Sequence, residues 1–441
     1  MSLPTLDTVQ KLQMALHAKA KGNSSFRFYS LYDKVHRGDV LWIAHRRCQN
    51  NGGVPGVDGQ TFDDIRDYGE TKWLEELAEE LRTKTYQPQP VRRVYIPKPD
   101  GKQRPLGIPT IKDRVVQTAL LIVLEPIFET DLQPEQHAYR PDRSALDAVQ
   151  EVHGLLNAGY RDVVDADLSG YFDSIPHAEL MQCIARRVSD KAVLHLIKMW
   201  LVAPAEEKDR RGHVHRTTRN KDEGRGSPQG APISPLLANV YMRRFVLGWK
   251  TLGHEQQFQA RIVNYADDFV ICCRGTAPQA ALAMRSMMQR LKLTVNERKT
   301  KLCRVPDETF DFLGYTFGRC YSPRSGRAYL GTRPAKPKVR KLCETLSKLT
   351  ERRFLWLDEE EMVVRLNRRL VGWANYFRLG PVSNAYRAVD RHVVHRLRQW
   401  LCAKHKVKSS GMARFPNQHL YETLGLVRLP SLTRRLPWAK A

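Results

Sequence analysis

None of the eight cysteines stands in a C-x-x-C pair, so neither a zinc ribbon nor a disulfide framework is readable, and reduced thiols are expected. No stretch approaches the roughly 18 uninterrupted apolar residues of a membrane span, and the N-terminus carries neither a signal-peptide core nor an Arg-rich transit pattern. A cytoplasmic protein with no membrane partner is the expectation. No repeat of the length that builds solenoids or propellers is visible. Acidic residues are scarce: 47 Asp plus Glu face 72 Lys plus Arg, for a net charge of +25. The 42% apolar and 9% aromatic content is that of a folded chain, so disorder does not explain the charge. At 441 residues the length suits two or three domains.

The charge is uneven. Residues 321–441 hold 26 basic and 8 acidic side chains, a net of +18, which leaves +7 for the first 320 residues. Basic residues interleaved with Trp356, Trp373, Tyr376, Phe377, Tyr386 and Trp400 form the footprint expected for a polyphosphate partner, because Lys and Arg release counterions and aromatic rings stack. Most of those rings are expected to be core all the same.

Local pattern gives a coarse map. A turn-rich run at 50–59 interrupts helical patterning, and residues 70–84 read as an amphipathic helix. The Asp100-Gly101 pair between the β-prone segment 91–97 and the segment that follows it signals a hairpin with basic flanks. Helices are expected at 111–128, 177–203, 234–249 and 278–291, and strands at 163–168 and on both sides of Ala266-Asp267-Asp268 within 261–273. The charged segment 206–226 is expected to be a solvated loop. From about residue 336 the pattern is helical, at 339–352, 359–376 and 385–405, with a domain boundary expected in the Gly- and Pro-containing stretch 326–337.

Asp267 and Asp268 lie between two apolar strands. An Asp pair in a turn is usually an exposed, solvated pair, but apolar strands on both sides make uncompensated charge costly. A hard divalent cation is the natural compensation; Mg²⁺ typically takes one or two carboxylates plus substrate phosphates. Asp167, 100 residues earlier at the end of another apolar strand, supplies a third carboxylate. Three such groups on adjacent strands can hold two ions about 3.5–4 Å apart, one at an attacking hydroxyl and one at a leaving pyrophosphate.

Tyr265-Ala266-Asp267-Asp268 resembles the catalytic box of reverse transcriptases, and motifs in the same order over roughly residues 30–430 resemble those of group II intron-encoded reverse transcriptase/maturases of the bacterial, endonuclease-lacking type. The blocks are Ile96-Pro97-Lys98-Pro99-Asp100-Gly101-Lys102-Gln103-Arg104-Pro105, Asp167-Leu168-Ser169-Gly170-Tyr171-Phe172-Asp173, Gly226-Ser227-Pro228-Gln229-Gly230-Ala231-Pro232, Leu293-Thr294-Val295-Asn296-Glu297-Arg298-Lys299-Thr300, Phe312-Leu313-Gly314-Tyr315 and Gly372-Trp373-Ala374-Asn375-Tyr376-Phe377-Arg378. Gly53-Val54-Pro55-Gly56-Val57-Asp58-Gly59 resembles the family's N-terminal extension block. The family commonly has Gly-Gly where this chain has Gly230-Ala231.

The resemblance implies a right-hand polymerase of α+β class: fingers, a palm on an antiparallel sheet, and a mostly helical, basic thumb or maturase domain. The corresponding divisions are 1–85 for the N-terminal extension and start of the fingers, 86–325 for fingers and palm, and 326–441 for the thumb. It implies catalysis by Asp167, Asp267 and Asp268, with the Leu168 carbonyl joining their metal shell around two Mg²⁺ ions that Mn²⁺ would replace. Lys299 is the candidate to protonate or neutralise pyrophosphate, with Lys301 as fallback. Lys98 and Arg104 would clamp a deoxynucleoside triphosphate, Phe172 would gate its sugar, and Gln229 and Gly230 would approach the nucleotide and template base. Gly314, Tyr315, Trp373 and Arg378 would contact nucleic acid.

The implied activity is RNA-directed DNA synthesis coupled to binding of a group II intron RNA, promotion of its splicing and its copying into DNA during retrohoming, in a bacterial cytosol or nucleoid. Implied partners are that RNA or another structured template, a DNA primer or target, and dNTPs, with a homodimer left open. Two other readings share these residues: a domesticated relative serving phage defence, CRISPR spacer acquisition or DNA repair, and an RNA-binding splicing factor without polymerase activity. No His/Asn cluster with paired cysteines follows residue 425, so an HNH-type endonuclease is not expected, and any mobility would use a pre-existing 3′ end.

Overall fold

The computed structural model describes residues 4–97, 101, 103–209, 211–322 and 325–433. Its strands are β1 (Val91–Pro97), β2 (Gln103–Ile108), β3 (Asp162–Asp167), β4 (Ala205–Lys208), β5 (Val214–Thr217), β6 (Ala260–Tyr265), β7 (Asp268–Cys273), β8 (Lys301–Arg304), β9 (Phe310–Phe312), β10 (Tyr315–Tyr321) and β11 (Ala328–Pro334). They form three sheets, ordered β2-β1-β4-β5, β6-β7-β3-β8 and β11-β10-β9. All pairs are antiparallel except β1 with β4. Helices and antiparallel sheets are thus mixed in an α+β fold. No helix among the described residues is long and apolar enough to cross a membrane.

The central sheet is apolar on both faces because its strands alternate between two cores. Val164, Ala166, Phe269 and Ile271 enter the largest core, while Val163, Val263, Val270 and Cys272 enter a second one. Helix Ile111–Glu129 joins the largest core and is buried nearly all round, as expected of a helix without a polar face. Its Asp113 is buried but accepts hydrogen bonds from the Tyr86 and Thr110 hydroxyls at 2.6 and 2.8 Å. The second core is completed by helix Ala145–Asn157 and by Phe310, Phe312, Tyr315 and Phe317 of the three-stranded sheet. Helices Lys336–Leu349, Glu359–Tyr376 and Ser383–Lys404 enclose a third core around Leu346, Leu366, Val393 and Trp400.

Three expectations change. The charged segment 206–226 is not a bare loop: β4 and β5 form a hairpin whose first strand extends the β1–β2 sheet. Exposed polar strands escape detection because only one short stretch of them, at β4, packs. The helical stretch 177–203 is two helices, His177–Ala185 and Lys191–Leu201, the second started by Asp190, whose carboxylate accepts from the Ala192 and Val193 amides. The expected boundary 326–337 contains β11, which pairs with β10 along seven residues; the chain crosses to the helices only at Ala335.

Gly380 fixes how the third core meets the three-stranded sheet. Its φ is +70°, and a Cβ there would overlap the Thr332 carbonyl oxygen of β11. Gly380→Ala combines backbone strain with a clash that neither backbone can relieve, so it is expected to destabilise the fold by about 2–4 kcal/mol, read as a lowered Tm.

Candidate active site

β6 and β7 are joined by a two-residue turn, Ala266-Asp267, between the paired Tyr265 and Asp268. Ala266 has φ +58°, a left-handed conformation uncommon without glycine. The buried Asn264 side chain holds it, its Nδ2 donating to the Ala266 carbonyl at 2.9 Å. Strain stabilised by its surroundings clusters at functional sites. Here it lifts Asp267 to the tip of the hairpin.

The register between β3 and β7 sets Asp167 directly opposite Asp268. Asp167 and Asp268 therefore stand side by side at one end of the two inner strands of the central sheet, with Asp267 on the adjoining turn. Asp268 keeps an exposed side, yet the protein packed around it desolvates its carboxyl and pushes it up to about 6, reinforced by Asp267 and Asp167 and opposed by Lys299 and Lys338. Burial and Asp167 also raise Asp267, against Arg104 and Lys299. Such crowding calls for a cation. Lys299 stands there, its Nζ 3.3 Å from Asp167 Oδ2.

Among the described residues no three His, Cys, Asp or Glu side chains converge closely enough to hold a metal ion by themselves. That is compatible with Mg²⁺, which draws much of its shell from water and substrate phosphate. Around Leu168, the Asn296 amide donates to the Asp167 carbonyl and the Ser169 amide to the Thr294 carbonyl, both at 2.8 Å. Neither bond uses the Leu168 carbonyl.

Two neighbours escaped the motif reading. Asp165 lies two residues before Asp167 on the same face of β3, and burial followed by Asp268 raises its carboxyl to about 7; the period of two along a strand is the signal that finds it. Asn296 donates from Nδ2 to Asp167 Oδ2 at 2.9 Å, while its carbonyl accepts from the Lys299 and Thr300 amides at 3.0 and 2.9 Å. One side chain thus ties the carboxylate to the loop that carries Lys299. Its sequence signal is only position within its motif.

Arg104, Phe172, Gln229 and Gly230 line one cavity of about 650 Å³, with Tyr139 and the buried Arg114. Gln229 Nε2 donates to Asp173 at 3.1 Å, and its carbonyl accepts from the Gly107 amide at 2.8 Å. Gly230 has φ +113°, and a Cβ would stand 2.9 Å from the Gly107 carbonyl oxygen. The Gln229-Gly230 turn is thereby seated against β2. Lys98, expected beside Arg104, lies outside the described residues.

The nucleic-acid contacts are only partly where they were expected. Gly314 occupies the β9–β10 turn with φ +83°, close beneath the Lys338 side chain, and Arg378 is exposed. Tyr315 is corrected: it is 0% exposed and its hydroxyl donates to the Tyr376 carbonyl at 2.5 Å, so its ring cannot reach nucleic acid. Trp373 gives much of its ring to packing. It is half-buried between two cores, its ring centroid 4.8 Å from Phe377 and 5.7 Å from Tyr386. Both residues are packing groups because the turn and the helix need an apolar joint.

The family model described as reverse transcriptase (RNA-dependent DNA polymerase) matches residues 96–317, and that of the group II intron maturase-specific domain matches residues 339–417. The chain belongs to the group II intron reverse transcriptase/maturase family. Protein YkfC of Escherichia coli (strain K12) is 33% identical over 380 residues, covering 77% of this chain and 96% of that protein. The group II intron-encoded protein LtrA of Lactococcus lactis subsp. cremoris is 35% identical over 227 residues, 51% of this chain, which spans only 36% of LtrA's length. A solved partial Cas6-RT-Cas1--Cas2 complex is 23% identical with a TM-score of 0.37, covering 59% of this chain and 42% of that one. That likeness is too remote to bear on assembly, and none of these findings speaks for a homodimer. The reverse transcriptase is an RNA-directed DNA polymerase with a right-hand arrangement of fingers, palm and helical thumb.

Two outcomes follow from the carboxylate cluster. Asn296→Ala is expected to raise the Mg²⁺ concentration for half-maximal extension about tenfold or more, the usual cost of removing a support behind a metal ligand, with the dNTP KM nearly unchanged. Asp165 and Asp268 bind protons more readily folded than unfolded, so their contribution to stability is full below the unfolded carboxylate range and lost as pH rises through about 6 to 7. The Tm gain of Asp165→Asn over wild type, measured without divalent ions, is expected to grow from roughly pH 5 to 8.

Proposed function

We propose that this reverse transcriptase binds a group II intron RNA, promotes its splicing and copies it into DNA for retrohoming, by nucleotidyl transfer at Asp167, Asp267 and Asp268. The supporting observation is the pairing of Asp167 opposite Asp268 in a chain whose C-terminal part matches a maturase-specific domain.

These three carboxylates, with the Leu168 carbonyl, would hold two Mg²⁺ ions, which Mn²⁺ would replace. When bound, the ions supply Lewis-acid activation of the primer 3′-hydroxyl and neutralise charge at the leaving pyrophosphate. Asp167 and Asp268 must be ionised for this, and Lys299 must leave Asp167. Released, its ammonium would meet the pyrophosphate and pass it a proton. Arg104 and Lys98 bind the triphosphate. The Phe172 ring, wedged beside Tyr171 with centroids 5.8 Å apart, fills the space of a ribose 2′-hydroxyl and so selects dNTPs. Gln229 and Gly230 form the floor beneath the nucleotide, where a side chain at 230 would collide with Gly107. Gly314 and Arg378 face the primer–template duplex, and the basic thumb supplies sequence-independent phosphate contacts whose affinity falls steeply with salt. The proposed setting is a bacterial cytosol or nucleoid.

The test is Mg²⁺-dependent extension of a DNA primer on an RNA template, run beside RNA binding and splicing. Asp268→Asn is expected to abolish extension, by about 10³-fold or more, while leaving intron RNA affinity and splicing within about twofold. Loss of extension and splicing together would overturn the separation of the two roles. Wild-type protein that binds structured RNA but never extends a primer would make it a splicing factor alone. Phe172→Ala is expected to admit ribonucleotides; unchanged sugar discrimination would remove Phe172 from the gate.

A further inference from the structure

The thumb contains a second large cavity, about 890 Å³, remote in sequence from the polymerase carboxylates. Its walls come from the 3₁₀ turn Arg352–Phe354, the C-terminal half of helix Ser383–Lys404 and residues 407–412. Three features define what it could hold. Arg352, His395 and Gln399 are exposed at the rim with Ser409 and Ser410; the Gln399 Oε1 accepts from Arg396 at 3.0 Å and the Ser409 Oγ from the Gly411 amide at 3.3 Å, which leaves chiefly donors. Among the described residues the only acidic one on the wall, Glu351, is paired with Arg353 at 2.9 Å. Trp400 forms part of the wall at 1% exposure, and its indole N–H is a buried donor with no acceptor.

A buried donor left without an acceptor costs about 1–3 kcal/mol, and two flanking groups show that donors here are otherwise satisfied. Arg396 donates to the Ser347 and Thr350 carbonyls at 3.2 and 3.1 Å, closing the end of helix Lys336–Leu349. Arg398 donates to the Phe415 carbonyl at 2.9 Å. These two are structural. Arg352, His395, the Gln399 Nε2 and the Trp400 N–H are left for a ligand that brings acceptors and negative charge, the Gln399 Oε1 being taken by Arg396 at 3.0 Å. Leu355, Val407 and the exposed Met412 add apolar wall, which a bare phosphate would not use.

We propose that this cavity receives one unpaired nucleotide extruded from a structured RNA, its base against the Met412 wall with an acceptor edge toward the Trp400 N–H and its phosphate at Arg352 and His395. A stacked duplex base is not available to such a recess, whereas bulged bases are, and RNA is recognised mainly through unstacked bases. The site would give the thumb a means of distinguishing a folded RNA from the plain duplex it holds during synthesis. This inference rests on the proposed binding of structured RNA by the maturase part.

The test compares the full chain on two RNA hairpins, one fully paired and one with a single bulged nucleotide, by equilibrium binding at fixed salt, with primer extension alongside. Wild type is expected to bind the bulged hairpin about tenfold tighter, within the range set by one base contact. Trp400→Phe removes the N–H and keeps a ring, and Arg352→Glu alters only an exposed side chain; each is expected to reduce the preference at least threefold, with extension and the paired-hairpin affinity of Trp400→Phe unchanged. Equal binding of the two hairpins by wild type, or an unaltered preference in Arg352→Glu and Trp400→Phe, would overturn the inference while leaving RNA binding intact. Failure of wild type to bind either hairpin would overturn both this inference and the maturase reading.

Discussion

Mutual repulsion among the carboxylates at one end of the central sheet is the constraint on which the rest of the molecule depends. Pairing Asp167 with Asp268 across an antiparallel ladder places two negative charges in the closest relation a sheet allows, and Asp267 and Asp165 add to it. Nothing in such an arrangement favours folding. It persists because two apolar cores grip the same strands from opposite faces; slipping β7 by one residue to separate the charges would turn Phe269 and Ile271 out of one core and Val270 and Cys272 out of the other. Hydrophobic register therefore enforces an electrostatically unfavourable site, and its charge is available to whatever cation and phosphate are presented to it.

The cations at hand are graded by how firmly they are held. Lys299 is on a loop whose start is pinned by Asn296 to Asp167 itself, so it can leave the carboxylate without losing its place. Lys338 belongs to the first thumb helix and lies over the Gly314 turn, close enough to moderate Asp268. The thumb thus reaches into the electrostatics of the palm through one side chain. Its attachment is rigid at that point: the Tyr315 hydroxyl donates to the Tyr376 carbonyl and the Tyr376 hydroxyl to the Leu313 carbonyl at 2.7 Å. These reciprocal bonds, sealed by Trp373 and Phe377, explain why residues that look like nucleic-acid contacts in a linear motif are used for a joint.

A comparable joint closes the other side. The Gln229-Gly230 turn rests on β2, and β1 is extended by the β4–β5 hairpin, so the β1–β2 hairpin is tied both to that turn and to the second hairpin. The thumb cavity shares none of these elements, and its walls are built within the third core.

The local pattern of the chain determined a good deal. Asp-Asp between apolar strands announces a charged hairpin tip, Asp100-Gly101 announces the fingers hairpin, and 3.6-residue periodicity gives the thumb helices nearly to their ends, because turn chemistry and amphipathicity are local. The order of the motifs carried the polymerase reading. What only the tertiary structure decided depends on partners distant in the chain. Asp165 and Asn296 join the site through strand register and a crossing bond to Asp167, Tyr315 turns inward because a thumb helix covers it, Trp373 packs from that helix against Phe377 and Tyr386, and β4–β5 becomes sheet because β1 offers it an edge. No window of sequence contains both sides of such contacts, and burial, which fixes their chemistry, exists only once the sides have met.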